Sequence, residues 1–167
     1  MKRIFVVILL LAIISITGCT KEKEIVINNK PINTSKMAHK HCTRDASLTD
    51  GEVTLEYDIY YTGDILNILK SYEKVSSSDS SILDTYEEAY KNIHSNYEGL
   101  AYYDTSVERG NDSVTSTIII DYDEIDIAKL ISIEGEEDNI FENNKAMVNK
   151  WLDLGKKFGM KCELVKE

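Results

Sequence analysis

Two strands joined by a tight turn are encoded by residues 53–75, which read VTLEYDIYYTGDILNILKSYEKV. Apolar and polar residues alternate from Val53 to Tyr61, and this period of two is typical of a strand with one buried face. The buried face comprises Val53, Leu55, Tyr57, Ile59 and Tyr61, and the polar face comprises Thr54, Glu56, Asp58 and Tyr60. The segment Ile65–Val75 fits either a strand or a helix, but its position directly after the turn Thr62-Gly63-Asp64 favours a strand.

Further elements flank this pair of strands. Asp50-Gly51 is a strong hairpin signal and predicts another strand on its N-terminal side, from about Cys42. Apolar residues then recur at spacings of three and four from Ile82 to Tyr97, which predicts an amphipathic helix that ends before Gly99. The segments Leu100–Arg109 and Ser113–Tyr122 flank Gly110-Asn111-Asp112 and predict a second hairpin.

The C-terminal part of the chain predicts a second long helix and a closing strand. The helix covers Asn139–Phe158, with lysines in its last turn and Gly159 directly after it. The strand covers Met160–Val165, and Asp126–Ile131 adds a short helical turn before the helix. The predicted order is therefore β-β-β-α-β-β-α-β. This order describes an α+β fold, with an antiparallel sheet built from hairpins and two amphipathic helices packed on it.

The N-terminus has the pattern of a lipoprotein signal peptide. Lys2 and Arg3 precede an apolar run, Ile4–Ile16, and Thr17-Gly18 then place a small residue directly before Cys19. Thirteen apolar residues span about 20 Å as a helix, whereas a bilayer crossing needs about 20 residues. A plain cleaved signal ends in an A-x-A-like site, which is absent here. We therefore expect residues 1–18 to be removed and Cys19 to carry a diacylglyceryl group, whose two chains give stable anchoring.

A tether and one domain are expected to follow this signal. Residues 19–40 comprise the lipidated cysteine and a polar segment that contains the only proline, Pro31, and lacks a sustained period. As a random coil, twenty residues reach about 25 Å, so we predict a flexible spacer. The segment Glu24–Ile27 has some strand character, but it is too short to decide the assignment. Residues 41–167 are predicted to form a single α+β domain.

The charge of the chain excludes some partners. The sequence has 19 basic and 29 acidic residues, and removal of residues 1–18 takes away two bases, which leaves a formal charge of −12. Nucleic-acid binding relies on Lys and Arg that neutralise phosphates, so it is not expected. The same charge argues against a protein that lies flat on anionic headgroups. A solvated acidic surface is the simplest interpretation, and a cationic partner or a divalent ion is the alternative.

Two cysteines remain after Cys19, namely Cys42 and Cys162. Outside the cytoplasm an even number of cysteines predicts a disulfide, here one that closes a loop of about 120 residues. The chain-entropy model gives such a bridge about 4–5 kcal/mol of stabilisation. The alternative is a pair of inert or metal-binding thiols, which the spacing does not exclude.

Candidate sites for metal or catalytic chemistry give only weak signals. His39-Lys40-His41-Cys42 offers two imidazoles and a thiol, but it lies where the tether meets the domain, no CxxC or HExxH motif follows it, and His94 falls on the polar side of the predicted helix. An EF-hand needs D-x-[DN]-x-[DN]-G, and Ile125 occupies the third ligand position of the acidic segment. That segment and its neighbours contain Asp121, Asp123, Glu124, Asp126, Glu134, Glu136, Glu137 and Asp138. We therefore predict solvated histidines and acidic loops, with no metal, no cofactor and no catalytic residue.

Tyrosine is unusually frequent, with ten residues against three phenylalanines. Tyr57, Tyr61, Tyr86, Tyr90 and Tyr97 fall mostly on predicted inward faces, which favours a role in core packing. Tyr60, Tyr102, Tyr103 and Tyr122 provide the alternative of a recognition surface, because tyrosine is enriched in interfaces.

Several segments resemble a known family when they are taken in order. They are YDIYYTGD at residues 57–64, YKNI at 90–93, LAYYDT at 100–105, and 114–130, which ends in DIAKL. In this order they resemble the YehR-like bacterial lipoproteins, a family whose domain has no assigned function. The resemblance covers residues 53–163 and the lipobox. The resemblance implies a small α+β lipoprotein domain and transfers no catalytic residue. It is compatible with a disulfide between Cys42 and Cys162.

The expected function follows from the anchor, the tether, the charge and the absence of a catalytic motif. We expect an extracytoplasmic, membrane-anchored domain that binds a protein, a cell-wall component or a small molecule and is not an enzyme. A small cell-envelope enzyme with carboxylate-based chemistry is the alternative. A substrate-binding component of a transporter ranks third, because the chain is too short for the usual two lobes.

Overall fold

The structure is a computed structural model that describes residues 25–135 and 140–166. The predicted signal peptide and Cys19 lie outside these residues, as do Glu136, Glu137 and Asp138. The strands are β1 (Ile25–Ile27), β2 (Lys30–Ile32), β3 (Ala38–Leu48), β4 (Gly51–Thr62), β5 (Ile65–Ser76), β6 (Tyr103–Arg109), β7 (Ser113–Asp121), β8 (Phe141–Glu142), β9 (Lys145–Ala146) and β10 (Lys161–Leu164). The helices are α1 (Ser80–Ser95), α2 (Ile127–Glu134) and α3 (Val148–Lys157).

A six-stranded antiparallel sheet forms the centre of the fold, in the order β10-β3-β4-β5-β7-β6. The predicted α+β class and the predicted order of long elements are confirmed. The proximal end of the sheet carries Ala38, Thr62 and Leu164, and the distal end carries Leu48, Gly51 and Ser76.

The ambiguous segment after the first turn is a strand. Gly63 adopts a φ of 58° in the turn, a conformation that glycine allows without steric cost. β5 then pairs with β4 on one side and with β7 on the other, so its apolar residues are buried in the middle of the sheet. Tyr60 pairs with Ile68 and Tyr61 with Leu66, which leaves Asn67 as an unpaired bulge residue in β5.

The helices cover one face of the sheet in two groups. α1 packs at the distal end, where Leu83 contacts a layer formed by Val53, Val75 and Val114. α2 and α3 contribute to the main core at the proximal end. That core comprises Cys42, Ile59, Leu66, Leu69, Leu100, Tyr103, Ile120, Tyr122, Ile125, Ile127, Leu130, Ile140, Ala146, Val148 and Trp151.

The opposite face is open over most of its area and is covered at the proximal end by the β1–β2 hairpin. Ile25 packs there against Tyr60 and Ile68. Tyr60, which the alternation assigns to the polar face, is therefore buried. The residues assigned to the tether are also partly folded, because 25–32 form this hairpin and Ala38 begins a long strand. The hairpin turns at Asn28-Asn29, with φ values of 50° and 60°, as a two-residue hairpin turn requires.

The C-terminal helices differ from the prediction in their bounds. The turn at Asp126–Ile131 is a full helix, α2, and the side chain of Asp126 accepts a hydrogen bond from the Lys129 N–H at its start. The second long helix begins at Val148 and not at Asn139, because residues 141–146 form a small hairpin around Asn143-Asn144. Within the described residues, none of the helices has the length and apolar composition that crossing a bilayer requires.

β10 closes the sheet beside β3. Cys162 lies opposite Cys42 in this pair of strands, and a disulfide joins them across 120 residues of sequence. Cys42 is fully buried, so the bridge belongs to the main core.

Candidate functional site

Two histidines share one carboxylate on the open face of the sheet. His39 and His41 are two residues apart on β3, so both side chains point to the same face. His39 Nε2 lies 3.0 Å from Asp58 Oδ1, and His41 Nδ1 lies 2.9 Å from the same oxygen. Asp58 is on the neighbouring strand β4, directly opposite His41.

The shared carboxylate determines which ring nitrogens carry protons. An ionised carboxylate only accepts hydrogen bonds, so each imidazole donates an N–H to Asp58 Oδ1. His39 also stacks on Tyr60, with ring centroids 4.3 Å apart and an interplanar angle of 14°. The prediction of solvated histidines is therefore wrong, because both histidines are ordered parts of the sheet. Cys42 does not join them, because its sulfur is in the disulfide.

Two clefts lie beside this histidine pair, and we call them the C-terminal clefts. The smaller has a volume of about 490 Å³ and is lined by His41, Thr43, Lys161, Glu163, Leu164 and Val165. The larger, of about 860 Å³, lies between the 34–37 loop and the C-terminal segment, with His39, Tyr60 and Lys166 in its lining. Leu164 and Val165 line both clefts, so the two form one continuous surface.

The C-terminal clefts differ in charge from the chain as a whole. Among the described residues, their lining includes three lysines, Lys36, Lys161 and Lys166, and one carboxylate, Glu163, while Asp58 contacts the two lining histidines. The chain as a whole has a formal charge of −10. Leu164 and Val165, between these lysines, are 56% and 39% exposed. A basic and partly apolar surface on an acidic protein is suited to an anionic partner.

The acidic segment after β7 has a structural arrangement of its own. The bulge residue Asn67 is 8% exposed, and its Nδ2 donates to both oxygens of Asp123, at 3.0 and 2.9 Å. Asp121 Oδ1 accepts a hydrogen bond from the Asp123 N–H at 3.0 Å. Burial raises the pKa of the Asp121 carboxyl, and this backbone hydrogen bond offsets part of the rise. Through these contacts, the acidic segment after β7 holds the bulge residue Asn67 in place.

The other residues considered as metal ligands do not converge. His94 Nε2 lies 2.9 Å from Ser116 Oγ under α1, away from His39 and His41. Burial lowers the pKa of His94. Glu134, at the end of α2, accepts a hydrogen bond from the Tyr97 hydroxyl at 3.4 Å. In the part of the chain that the structure describes, no group of three or more His, Cys, Asp or Glu residues is arranged to hold a metal ion.

Most tyrosines act as core residues. Tyr103 and Tyr122 are buried in the core, whereas Tyr60 is buried but forms part of the wall of the larger cleft, so the four tyrosines do not form one recognition surface. Tyr103 stacks on Tyr97 with ring centroids 4.2 Å apart. Burial raises the pKa of both Tyr103 and Tyr122. Tyr102 is half-buried and lines a separate cleft of about 470 Å³ together with Asp121 and Glu124.

The surface that sequence reasoning missed is the pair of C-terminal clefts. Lys36 lies in the predicted tether and Lys161 and Lys166 lie at the other end of the chain. The antiparallel pairing of β10 with β3 brings these segments together. The only sign of this surface in the sequence is a local excess of lysine near each end. That excess indicates a shared surface only when the pairing of β10 with β3 is known.

Comparison with known proteins gives structural neighbours and no sequence relatives. No family model and no curated protein matches the chain. The solution structure of the Escherichia coli YehR protein is similar, with 16% identity, a TM-score of 0.56, and coverage of 79% of this chain and 94% of that one. A solution structure of a Streptococcus pneumoniae TIGR4 protein has 17% identity and a TM-score of 0.51, and the match covers 83% and 91% of the two chains. The predicted resemblance to YehR-like proteins is thus confirmed in the fold.

Proposed function

We propose that this chain is a membrane-anchored extracytoplasmic lipoprotein that binds an anionic partner at the C-terminal clefts and catalyses no reaction. The observation that carries the proposal is the charge of these clefts, whose described lining has three lysines and one carboxylate on an otherwise acidic protein. The lipobox at Cys19 supports the location. The two similar solution structures support the fold, and they carry no information on a ligand.

The anchor is tested first, by replacing Cys19. We expect Cys19→Ala to abolish incorporation of a labelled fatty acid and to leave the protein unprocessed or released, because the thiol is the lipid acceptor. Membrane fractionation and the intact mass of the chain provide the readout. Unchanged membrane retention of a processed, unlabelled chain would contradict the anchor.

The binding surface is tested with inorganic polyphosphate as the probe and the mature protein in a neutral detergent. We expect the triple variant Lys36→Ala, Lys161→Ala, Lys166→Ala to weaken binding at least about tenfold, because it removes the cations that line the clefts. The matched control is Lys74→Ala, Lys91→Ala, Lys129→Ala, which removes the same charge elsewhere. Equal weakening by both variants, or no binding by the parent protein, would contradict a specific anionic site.

A hydrolytic enzyme is the second candidate, and a specific contact favours it. His41 Nδ1 lies 2.9 Å from Asp58 Oδ1 and His41 lines the smaller cleft, which is the arrangement of a general base oriented by a carboxylate. Under this alternative, His41→Ala and Asp58→Asn abolish hydrolysis of an envelope substrate. If hydrolysis of the envelope substrate survives both substitutions, the His41–Asp58 contact no longer supports catalysis.

A further inference from the structure

The described chain begins beside the C-terminal clefts. Ile25 packs against Tyr60 at the proximal end, and Tyr60 also forms part of the wall of the larger cleft. Cys19 is six residues before Ile25, and six residues span at most about 21 Å when fully extended. A lipid on Cys19 therefore keeps Ile25, which packs against the Tyr60 wall of the larger cleft, within about two nanometres of the membrane surface.

The proximal end of the sheet is divided into a basic and an acidic corner. Lys36, Lys161 and Lys166 lie beside β10 and β3, whereas Asp121 and Glu124 follow β7 and line a cleft with Lys30. β10 and β7 are four strand positions apart in the sheet, which is about 19 Å. The Debye length at physiological ionic strength is about 8 Å, so the acids are largely screened from a surface that contacts the basic corner.

The basic corner also carries apolar side chains that are free to enter a headgroup layer. Leu164 and Val165 are among the most exposed large apolar residues of the described chain. Lysines around apolar side chains are typical of surfaces that lie at the membrane interface, where the chains enter the headgroup region and the ammonium groups remain with phosphates. This composition favours a lipid surface over a soluble polymer.

We propose that the C-terminal clefts dock on the phosphate headgroups of the leaflet that holds the Cys19 lipid. The inference rests on the proposed lipid anchor and names the anionic partner of the same surface. The acidic remainder of the domain is repelled by that leaflet, so the protein contacts it by one corner and does not lie flat. The distal end of the sheet then points away from the membrane.

Lysine labelling tests this orientation in the mature lipidated protein. The protein is reconstituted into vesicles of 30% phosphatidylglycerol and 70% phosphatidylcholine, and separately into pure phosphatidylcholine vesicles. We expect Lys36, Lys161 and Lys166 to react with an amine-specific reagent several-fold more slowly on the anionic vesicles. Lys74 and Lys91, which lie elsewhere, should react equally on both, and 0.5 M salt should abolish the protection. Equal reactivity of the three lysines on both vesicles overturns the inference.

A charge-reversal variant provides a second test of the membrane docking. Each lysine near an anionic surface contributes about fivefold to association, so Lys36→Glu, Lys161→Glu, Lys166→Glu should lower the equilibrium constant for docking about a hundredfold or more. Protection of Leu164 and Val165 against amide exchange on the anionic vesicles should disappear with it, whereas the control Lys74→Glu, Lys91→Glu, Lys129→Glu should keep that protection. Preserved protection in the first variant overturns the inference.

The two proposals fail in different ways. The mass of the Cys19 peptide in the same samples reports whether the anchor is present. Anchored protein that binds polyphosphate through the three lysines but shows no vesicle-dependent protection retains the proposed function and loses the membrane docking. Protein without a lipid, or without polyphosphate binding, loses the proposed function itself.

Discussion

Cys42 and Cys162 face each other across neighbouring antiparallel strands, so their disulfide joins the last strand of the chain to the first long one. β10 pairs with β3 over only four positions and has no neighbour on its other side within the described sheet. Its attachment therefore depends strongly on the covalent bond. The position of Cys42 in the buried core protects this bond from solvent.

Reduction of this disulfide should lower the free energy of unfolding by about 4–5 kcal/mol, because the bridge closes a long loop in the unfolded chain. Urea unfolding of the oxidised and the reduced protein measures the difference. Amide exchange should show that Lys161–Leu164 open before the rest of the sheet after reduction. Unfolding at the same urea concentration in both forms, or two free thiols in the oxidised protein, would disprove the bridge.

Leu83 should be the residue of α1 that is least tolerant of truncation. It is 1% exposed and contacts the valine layer of β4, β5 and β7, so Leu83→Ala should lower the free energy of unfolding by about 2–5 kcal/mol. Ile93 on the same helix is 50% exposed and provides the matched control. We expect Ile93→Ala to change stability by less than about 1 kcal/mol in thermal or urea unfolding. Equal losses from the two truncations would show that α1 packs differently.

The bulge residue Asn67 and the exposed Asp123 should be energetically coupled. Asp123→Ala should cost about 1–3 kcal/mol, because it leaves the buried Asn67 amide without an acceptor. The same change in the Asn67→Ala background should cost less than about 0.5 kcal/mol. A double-mutant cycle measured by urea unfolding gives the coupling. Additive effects would mean that the two side chains do not interact in solution.

His94 should make the stability of the protein depend on pH. Burial lowers its folded pKa below that of the unfolded chain, so protonation favours unfolding as the pH falls through about 6.5. His94→Gln does not titrate and retains a group that bonds to Ser116. The stability of the parent protein relative to this variant should therefore decrease from pH 7.5 to pH 5. A constant difference over this range would contradict a buried, neutral His94.

The large elements of the fold were predictable because their patterns are strong. The alternation of Val53–Tyr61 and the helical period of Ile82–Tyr97 each specify one type of element. The segment Ile65–Val75 was ambiguous because β5 is central in the sheet, where its apolar residues are buried and the simple alternation is lost. Its strand assignment depended on the turn at Gly63.

The short hairpins were not predictable with the same rules. Asn28-Asn29 and Asn143-Asn144 adopt positive φ values and form tight turns, but the strands they join have only two or three residues. Such strands are too short to show a period. The position of Tyr60 was mispredicted for a related reason, because its burial depends on the β1–β2 hairpin and not on its own strand.

The candidate site depended on tertiary structure even more strongly. His39 and His41 were visible in the sequence, but their common partner Asp58 is supplied by the register of β3 and β4. The lysines of the C-terminal clefts come from opposite ends of the chain. No local pattern connects these residues.

Both ends of the described chain lie at the proximal end, since Ile25 packs on Tyr60 and the Val165 N–H donates to the His39 carbonyl. The longest strand has 12 residues, so the distal turns are about 40 Å away. An affinity tag or fluorescent reporter fused to the C-terminus would therefore cover the clefts and obscure their ligand. An epitope inserted at Asn111-Asp112, in the distal turn between β6 and β7, would leave them accessible.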